Sequence, residues 1–472
     1  MVKRLHIIGV CGTAMAGIAA LAQDGGWQVT GSDAGIYPPM SDFLAARQIP
    51  IAEGFRAENL DNLNKVSDLV VVGNAISRGN SELEALMDRG IPYVSGPEWF
   101  YKHVLEGRHA VVVTGTHGKT TTSSLMARVW EEAGWGPGFL IGGIPLDFGV
   151  GARYPLGPWV VVEGDEYDTA FFDKRPKFLH YRPQTLILHN LEYDHADIYA
   201  DLEAIRHQFR LLLRTVPGSG LLLANGDDPE IEALLPHAHS RVIRYGMNPA
   251  YPFAARLDCE DGRVWSLLRD GEPIFSVAWR LIGRHNVMNG LAVAAAALSH
   301  GMDPAQVQAG LVGFRGVARR LQLRFEIQGV AVYDDFAHHP TAIATTLEGF
   351  RAAAGDARVW VVLEPRSNTM RRRVHQDRLA QALAAADRVV LATPGSKGLS
   401  PHEVLDVEAV VGQINDARPL PGTEQRAVVV SDAVETVAYL KERLQPGDRV
   451  LVMSNGGFDG IHDRLQAALN SV

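Results

Sequence analysis

Short runs of β-branched and other apolar residues recur along the chain, and longer segments rich in alanine and leucine separate them. The clearest runs read LHIIGV, LVVVG, AVVVTG, WVVVEG, TLILHNL, GVAVYDDF, RVWVVLEP, RVVLATP and RVLVMSN. Strands that alternate with helical segments are typical of mostly parallel sheets covered by helices. The pattern therefore predicts an α/β protein.

The length of the chain predicts about three domains, because 472 residues exceed what one hydrophobic core usually serves. We predict a Rossmann-like domain over residues 1–108, a central α/β domain over 109–316 and a second Rossmann-like domain over 317–472. The polar string EGRH, followed by a new strand, marks the first boundary. Shorter and more polar strands between Asn225 and Arg284 predict a small antiparallel piece inside the central domain.

The charge balance argues against a nucleic-acid partner. Lys and Arg total 45 and Asp and Glu total 54, which gives a net charge of −9, and no basic tail stands out. Cys11 and Cys259 are too few for a disulfide framework, which fits a reducing compartment.

The N-terminus offers two interpretations. Lys3 and Arg4 precede an apolar stretch, as in a secretory signal, but Gly9, Gly12 and Gly17 interrupt it in the pattern of a strand, a turn and a helix. No segment has the roughly 18 uninterrupted apolar residues that a membrane span requires. We therefore expect a cytoplasmic protein that does not contact a membrane.

The string VVVTGTHGKTTTSS places a glycine-rich turn between a strand and a helix. Such a turn directs free backbone N–H groups and the positive end of the helix dipole at one point, where an anion binds. Lys119 can reach phosphate oxygens there, and the Thr120 hydroxyl can coordinate Mg²⁺. Val113 stands where a P-loop has its first glycine, so this loop is shorter. We therefore expect an ATP triphosphate site here, which makes residues 109–316 a central P-loop-type ATPase domain. A chance match on a surface turn is the alternative.

The earlier loop from Gly9 to Gly17 has no lysine, so it suits a diphosphate that is esterified at both ends. A dinucleotide cofactor, with Asp33 contacting the ribose, is one candidate ligand, and a nucleotide-diphosphate sugar is another. The spacing of the glycines does not separate the two.

Acidic residues follow two apolar runs, in VVEGDEYD and HNLEYDHADIY. The clusters contain Glu163, Asp165 and Glu166, then Asp194, His195 and Asp197. Carboxylates are rarely buried without a partner, and ligands bind at the carboxyl ends of parallel strands, so we expect both clusters near the phosphate loop. Magnesium suits such ligands, although a hydrogen-bonded core histidine is the other interpretation of His195.

Polar residues also gather further along the chain. GRHNVMNG places His285, Asn286 and Asn289 at a helix start, where they either bind a base or phosphate or simply cap the helix. The residues that flank the second domain boundary are Arg319, Arg320, Asp334, Asp335, His338 and His339. Charged residues at a junction fit a cleft that closes on ATP.

Taken in order, these motifs resemble those of the Mur ligases over essentially the whole chain. The strings SDAGIYPPMS, GNAISRGN, EYDTAFFDKRPKFLHY, LEPRSNTM and MSNGGFDGIH resemble the branch that uses UDP-N-acetylmuramate. The resemblance implies a ligase of peptidoglycan recycling that requires ATP and Mg²⁺. Such an enzyme joins the lactyl carboxylate of UDP-N-acetylmuramate to the amine of the murein tripeptide L-alanyl-γ-D-glutamyl-meso-diaminopimelate, through an acyl phosphate.

The resemblance also implies roles for individual residues. The UDP-sugar would contact Gly9, Cys11, Gly12, Thr13, Asp33, Asn74 and Ser95. ATP would contact Gly115, Thr116, His117, Gly118, Lys119, Thr120, Thr121, His285, Asn286, Asn289, Arg320 and Asp335, with Asn289 on the adenine side. Thr120 and Glu163 would bind one Mg²⁺ and His195 a second, and Lys119, Glu163 and His195 would be catalytic. Candidates for the peptide are Arg366, Ser367, Asn368 and Asn455.

Two departures from the family pattern matter. Some members carry a carbamylated lysine shortly after the metal-binding histidine, but HADIYADLEAIRHQFRLLLRT has no lysine, and arginine stays protonated and cannot replace it. The chain also lacks the Asp-Asn-Pro-Arg string of members that add diaminopimelate. The second magnesium and the peptide would then need other ligands.

Several alternatives remain open on the sequence. The nearest is a ligase that adds free L-alanine to UDP-N-acetylmuramate. A nicotinamide-dependent oxidoreductase and a non-catalytic nucleotide-binding regulator are the others. The base that deprotonates the peptide amine is His195, His338 or His339, and we expect a monomer or a weak dimer.

Overall fold

The computed structural model describes residues 3–63, 68–420 and 424–470, which form three consecutive α/β units. No helix in these ranges is long and apolar enough to cross a membrane. The predicted boundaries at residues 108 and 316 stay predictions. Near the second of them, the Ala318 amide donates to the Ile144 carbonyl, 2.9 Å away, so the connecting segment is held against the central unit.

The first unit is a parallel sheet with helices on its faces. Its strands β1–β5 span Arg4–Ile8, Gln28–Asp33, Ile51–Glu53, Leu69–Val72 and Tyr93–Ser95. Its helices α1–α4 span Thr13–Asp24, Met40–Ala46, Ser81–Asp88 and Gly96–Phe100. The strand order is β3-β2-β1-β4-β5, so the order reverses between β1 and β4, where ligands bind in such sheets.

The central unit is built on a larger sheet. Its strands β6–β17 span His109–Thr114, Gly138–Leu140, Ala152–Arg153, Trp159–Glu163, Asp168–Ala170, Asp173–Pro176, Thr185–Leu188, Leu221–Asn225, Arg241–Gly246, Phe253–Leu257, Val264–Arg269 and Glu272–Ala278. Its helices α5–α9 span Lys119–Glu132, Leu202–Leu213, Pro229–Leu234, Arg284–Ser299 and Pro304–Val312. Strand β6 is buried between β12 and β9 and is parallel to both.

The antiparallel piece predicted inside the central domain between Asn225 and Arg284 is present, and it continues the main sheet. Strand β14 in this interval is parallel to β13, and β15–β17 continue from it, so that the main sheet runs β17-β16-β15-β14-β13-β12-β6-β9-β7-β8. The antiparallel pairs are β15–β16 and β16–β17, and the polar residues of β17 lie at an exposed edge of the sheet, where one side of the strand faces solvent.

The third unit has one antiparallel edge strand on an otherwise parallel sheet. Its strands β18–β23 span Gln322–Ile327, Val330–Asp335, Val359–Leu363, Arg388–Ala392, Ala427–Val430 and Arg449–Met453. Its helices α10–α14 span Pro340–Ala354, Gln376–Ala382, Val407–Ala417, Ala433–Lys441 and Ile461–Asn470. The strand order is β18-β19-β23-β20-β21-β22, which places β23 between β19 and β20.

The first two units share a packed interface. A Cβ atom added at Gly17, inside α1, would lie 2.7 Å from Leu140 Cδ1 and 3.2 Å from Ala152 Cβ. Gly17 therefore lets α1 approach the β7–β8 hairpin. The third glycine of the N-terminal motif serves this contact between units, whereas Gly9 and Gly12 shape the loop itself.

Candidate active site

The loop between β6 and α5 has the shape of an anion cradle. Gly118 has φ +83° and is followed at once by Lys119, the first residue of α5, and no side chain caps this helix start. Asn190, just after β12, fixes the loop: its carbonyl accepts from the Thr116 amide at 3.1 Å, and its Oδ1 accepts from the His117 amide at 2.8 Å. The backbone N–H groups of the first turn of α5 are thus left for a ligand.

Thr120 and Glu163 are in contact beside this loop. The sequence predicted that the acidic cluster containing Glu163 lies near the phosphate loop. The Thr120 hydroxyl donates to Glu163 Oε1 at 3.0 Å, and the Gly142 amide donates to Glu163 Oε2 at 2.7 Å. A hydroxyl and a carboxylate at the end of a phosphate loop are oxygen ligands of the kind Mg²⁺ takes. The donor set therefore fits a magnesium ion.

Glu166 links the lysine of the loop to the histidine of the second acidic cluster. One carboxylate oxygen accepts from Lys119 Nζ at 2.7 Å and the other lies 3.1 Å from His195 Nε2. Burial opposes charge on Lys119 and on His195, but the charge and hydrogen bonds of Glu166 outweigh it, so the pKa of each is raised. Glu166 therefore holds both side chains in place beside the loop. The sequence placed Glu166 in the right cluster but gave it no role.

His195 stands on a strained turn after β12. Its φ is +56°, and its backbone amide donates to Asp194 Oδ1 at 2.7 Å. Histidine is among the non-glycine residues that tolerate this conformation best. The turn presents the imidazole to Glu166, which is nearly fully buried.

His189 was absent from the predicted site although it lies in the quoted string LHNL. Its Nε2 lies 2.6 Å from the Thr122 hydroxyl and its Nδ1 lies 2.9 Å from the Tyr245 hydroxyl. Burial lowers the pKa of His189 to about 3, so the ring is neutral. This histidine joins α5, the end of β12 and β14 beneath the phosphate loop.

The start of α8 lies against the same loop. Asn289 Nδ2 donates to Asn286 Oδ1 at 3.1 Å, so the two asparagines share a face, as their spacing predicted. A Cβ atom added at Gly118 would lie 2.6 Å from Asn289 Oδ1, which shows that Asn289 packs on the loop. Burial lowers the pKa of His285 to about 4. The assignment of Asn289 to the adenine side stays a prediction.

Residues of the junction reach across to the central unit. Arg320 Nη2 donates to the Thr120 hydroxyl at 3.2 Å, and its guanidinium lies 4.8 Å from the ring centroid of Phe336. Burial lowers the pKa of Arg320 and raises that of Asp335. The Asp335 carboxylate partly offsets the shift of Arg320, and the Arg320 guanidinium partly offsets the shift of Asp335. Arg319 turns away instead, to Asp334 at 3.3 Å.

The site opens into a cavity of about 480 Å³ whose walls come from the central and third units. A neighbouring pocket of about 310 Å³ is lined by all four predicted peptide residues. These are Arg366, Ser367, Asn368 and Asn455, at the carboxyl ends of β20 and β23. Tyr167, Asp194, His195 and His338 line both spaces. The two compartments are therefore adjacent.

Comparison with known proteins agrees with this architecture. Family models match at residues 4–107 (Mur ligase family, catalytic domain), 113–297 (Mur ligase middle domain) and 319–456 (Mur ligase, glutamate ligase domain). The UDP-N-acetylmuramate--L-alanyl-gamma-D-glutamyl-meso-2,6-diaminoheptandioate ligase of Escherichia coli K12 is 45% identical over 465 residues, which cover 98% of this chain and 97% of that protein.

The chain belongs to the Mur ligase family.

Two further relatives are similar to the chain over most of its length. The crystal structure of a murein peptide ligase from Psychrobacter arcticus superposes with a TM-score of 0.74 at 38% identity and covers 99% of both chains. The UDP-N-acetylmuramate--L-alanine ligase of Arthrobacter sp. FB24 is 36% identical over 82% of this chain and 80% of its own. The predicted three-domain α/β fold and ligase class are confirmed.

In this Mur ligase, the residues predicted to contact the UDP-sugar gather at one edge of the first sheet. Gly9, Cys11, Gly12 and Thr13 follow β1, and the other three residues are Asp33 at the end of β2, Asn74 after β4 and Ser95 at the end of β5. Asp33 accepts from the Cys11 and Gly35 amides, each at 2.9 Å, and so holds the loop in shape. Whether it also contacts a ribose stays a prediction.

Two carboxylates near His195 offer metal ligands in place of the carbamylated lysine that this chain lacks. Ligand atoms of Asp165, Glu166 and His195 all lie within 4.8 Å of one another. Lys177 Nζ contacts Asp165 at 2.6 Å, so this carboxylate is already held in place. Two carboxylates and an imidazole fit a second divalent cation without a carbamate.

Proposed function

We propose that this Mur ligase uses ATP to join the lactyl carboxylate of UDP-N-acetylmuramate to the amine of L-alanyl-γ-D-glutamyl-meso-diaminopimelate, with release of ADP and phosphate. The observation that carries the proposal is the adjacency of two compartments. The cavity at the phosphate loop and the pocket around Arg366 share His195 and His338 in their walls. A carboxylate activated in one compartment is therefore within reach of an amine held in the other.

The chemistry requires activation because a carboxylate resists attack by an amine. Transfer of the γ-phosphoryl group converts the lactyl carboxylate to an acyl phosphate, whose phosphate is a good leaving group. Lys119 and the first turn of α5 would hold the phosphates, and Arg320 would bring a further positive charge to Thr120. Magnesium held by Thr120, Glu163 and the cluster at His195 would neutralise charge on the phosphate oxygens.

Glu166 would set the geometry of this step. It fixes Lys119 and His195 through opposite carboxylate oxygens, so both side chains are placed before substrates bind. Preorganised charges stabilise a transition state without reorganising during the reaction. Glu166 thus joins Lys119, Glu163 and His195 as part of the proposed catalytic group.

Contacts between the central and third units would keep water from the acyl phosphate. Asn368 Nδ2 donates to Asp197 Oδ2 at 2.9 Å, and the Thr341 hydroxyl donates to Glu192 Oε2 at 2.6 Å. Both hydrogen bonds link the central unit to the third unit. An enclosed site favours aminolysis over hydrolysis.

The first unit would bind the UDP-sugar at the carboxyl edge of its sheet, and we assign residues 1–108 to this task. Residues 109–316 would bind ATP and residues 317–472 the peptide. The glycine loop after β1 precedes an α1 start that no side chain caps, which suits a diphosphate. The absence of a lysine in this loop fits a diphosphate that is not transferred.

The choice of amine rests on the pocket and on the relatives. Arg366 is about half exposed in a pocket that also holds Asn368 and Asn455, and Asn455 Oδ1 is buried with no partner among the described residues. A guanidinium and two amides suit the carboxylates and amides of a peptide. The relative named for the tripeptide is 45% identical, and the alanine ligase is 36% identical over a shorter stretch.

A parallel assay tests the proposed function. ADP release is measured with ATP, Mg²⁺ and UDP-N-acetylmuramate, and either the tripeptide or free L-alanine supplies the amine. We expect a far higher kcat/KM with the tripeptide. Faster turnover with L-alanine would assign the chain to the alternative branch, and no turnover with either amine would refute the proposal. Lys119→Ala is the negative control, with an expected loss of roughly a hundredfold or more.

A further inference from the structure

His338 lies in the loop between β19 and α10, at the wall shared by the two compartments of the site. It lines both the cavity at the phosphate loop and the pocket around Arg366. A group at this wall can touch an amine that approaches the acyl phosphate. The sequence alone left His195, His338 and His339 as equal candidates for the base that acts on this amine.

Two of the three histidines are committed to other contacts. His195 Nε2 lies 3.1 Å from Glu166 Oε1, so this ring nitrogen already has a partner. His339 Nδ1 accepts from the Thr341 amide at 3.3 Å, and its Nε2 lies 3.3 Å from the Tyr193 carbonyl. Both ring nitrogens of His339 are therefore occupied.

His338 is different because one nitrogen is fixed and the other is free. Its Nδ1 lies 2.9 Å from the carbonyl oxygen of Phe336. A carbonyl only accepts hydrogen bonds, so Nδ1 carries the proton and Nε2 carries a lone pair. No described residue makes a hydrogen bond to Nε2. The ring thus presents a proton acceptor whose tautomer is set in advance.

Several neighbouring groups act on the pKa of His338. Burial lowers its pKa, while the carboxylate of Asp194 acts in the opposite direction. Arg320 from the junction and His195 from the loop after β12 also lower the pKa, and His117 and His339 are the neighbouring imidazoles. The ring is neutral at rest, and Asp194 would stabilise the imidazolium once a proton arrives.

We propose that His338 is the general base of amide formation, a role that rests on the function proposed above. Nε2 takes one proton from the peptide's ammonium group, and the amine that results attacks the acyl carbon. The new C–N bond forms as the carbonyl electrons move to oxygen, and their return breaks the C–O bond to phosphate. The second amine proton leaves with the phosphate, so the products are the amide, HPO₄²⁻ and an imidazolium.

The test compares two amines in the variant His338→Asn. The asparagine amide can still donate to Phe336 but has nothing in the place of Nε2. One reaction contains ATP, Mg²⁺, UDP-N-acetylmuramate and the tripeptide. The other replaces the tripeptide with hydroxylamine, which is already neutral at neutral pH and traps the acyl phosphate as a hydroxamate. The exposed His239→Asn is the matched control.

At about pH 7, we expect His338→Asn to lower tripeptide ligation by roughly 10²- to 10⁴-fold and to leave hydroxamate formation within about threefold of wild type. The ligation defect should shrink to about tenfold or less near pH 9, because the α-amine has a pKa of about 8 and is then mostly free. Equal losses with both amines, or a defect that does not change with pH, would overturn the role of His338. Absence of hydroxamate with the wild-type protein would instead refute the proposed function.

Discussion

Gly118 stands where the phosphate loop turns into α5, and its conformation and surroundings both require glycine. Its φ of +83° is one that residues with a side chain rarely adopt. Asn289, itself held by Asn286, leaves no room for a Cβ atom, because its Oδ1 would lie 2.6 Å away. A side chain here would therefore move either the loop or α8.

We predict that Gly118→Ala lowers the rate of ADP release by roughly a hundredfold, since small displacements of catalytic groups are costly. The matched control is Gly301→Ala, which has φ +81° and no atom within 4 Å of an added Cβ. Both variants should lose about 1 to 2 kcal/mol of stability from the backbone strain alone. Equal activity of the two variants would mean that contact with Asn289 does not position the loop. Thermal unfolding and the ADP-release assay supply the two measurements.

At the level of single residues, the sequence identified groups whose chemistry is local. Lys119 and Thr120 stand in a loop whose spacing predicts their position, and the meeting of Thr120 with Glu163 follows from adjacent strand ends. The bridge that Glu166 makes to Lys119 and His195 joins segments 47 and 29 residues apart in the chain. Such a bridge depends on side-chain directions, which no spacing pattern encodes. The free nitrogen of His338 was hidden for the same reason.

The elements under the loop are tied together by the buried His189. Its two ring nitrogens join α5 to β14 through Thr122 and Tyr245, and the folded protein holds the ring neutral with a pKa of about 3. In an unfolded chain, histidine has its ordinary pKa of about 6.5, so the unfolded chain binds a proton at a higher pH than the folded protein does. The stabilisation is therefore complete above about pH 6.5 and is lost as the pH falls toward 3.

We predict that His189→Gln flattens the dependence of stability on pH. Between pH 7 and pH 5, the free energy of unfolding of the wild-type protein should fall by roughly 2 kcal/mol more than that of this variant. The reason is that 1.5 pH units lie between pH 5 and the histidine pKa of the unfolded chain. Urea unfolding at the two pH values measures the difference. The exposed His239→Gln should keep the wild-type slope. An unchanged slope in His189→Gln would show that this ring is not the one that must stay neutral.

At the level of elements, periodicity predicted the strands and helices but not their order in the sheets. The runs GVAVYDDF, RVWVVLEP and RVLVMSN form β19, β20 and β23, and the last of these inserts between the other two. This insertion brings Arg366 and Asn455 to one pocket. Strand order depends on how crossover helices pack, which the hydrophobic pattern of each strand does not specify.

At the scale of the whole molecule, Arg320 extends from the junction and places its positive charge beside the phosphate loop. We predict that Arg320→Ala lowers kcat by roughly a hundredfold, since a charged group aimed at the transferring phosphoryl is lost. The variant should still bind UDP-N-acetylmuramate, because this sugar nucleotide is assigned to the first unit. Arg315→Ala, at an exposed position on the same segment, serves as the control. Full activity of Arg320→Ala would remove the junction from catalysis.

The reaction proposed for the whole molecule depends on phosphorylation of the sugar's own carboxylate. The most direct measurement follows oxygen from that carboxylate. UDP-N-acetylmuramate labelled with ¹⁸O in both lactyl carboxylate oxygens is turned over with ATP, Mg²⁺ and the tripeptide, and the released phosphate is analysed by mass. We predict that each phosphate carries one ¹⁸O atom, because the C–O bond breaks on the acyl side. Amide formation with unlabelled phosphate would contradict the acyl phosphate route.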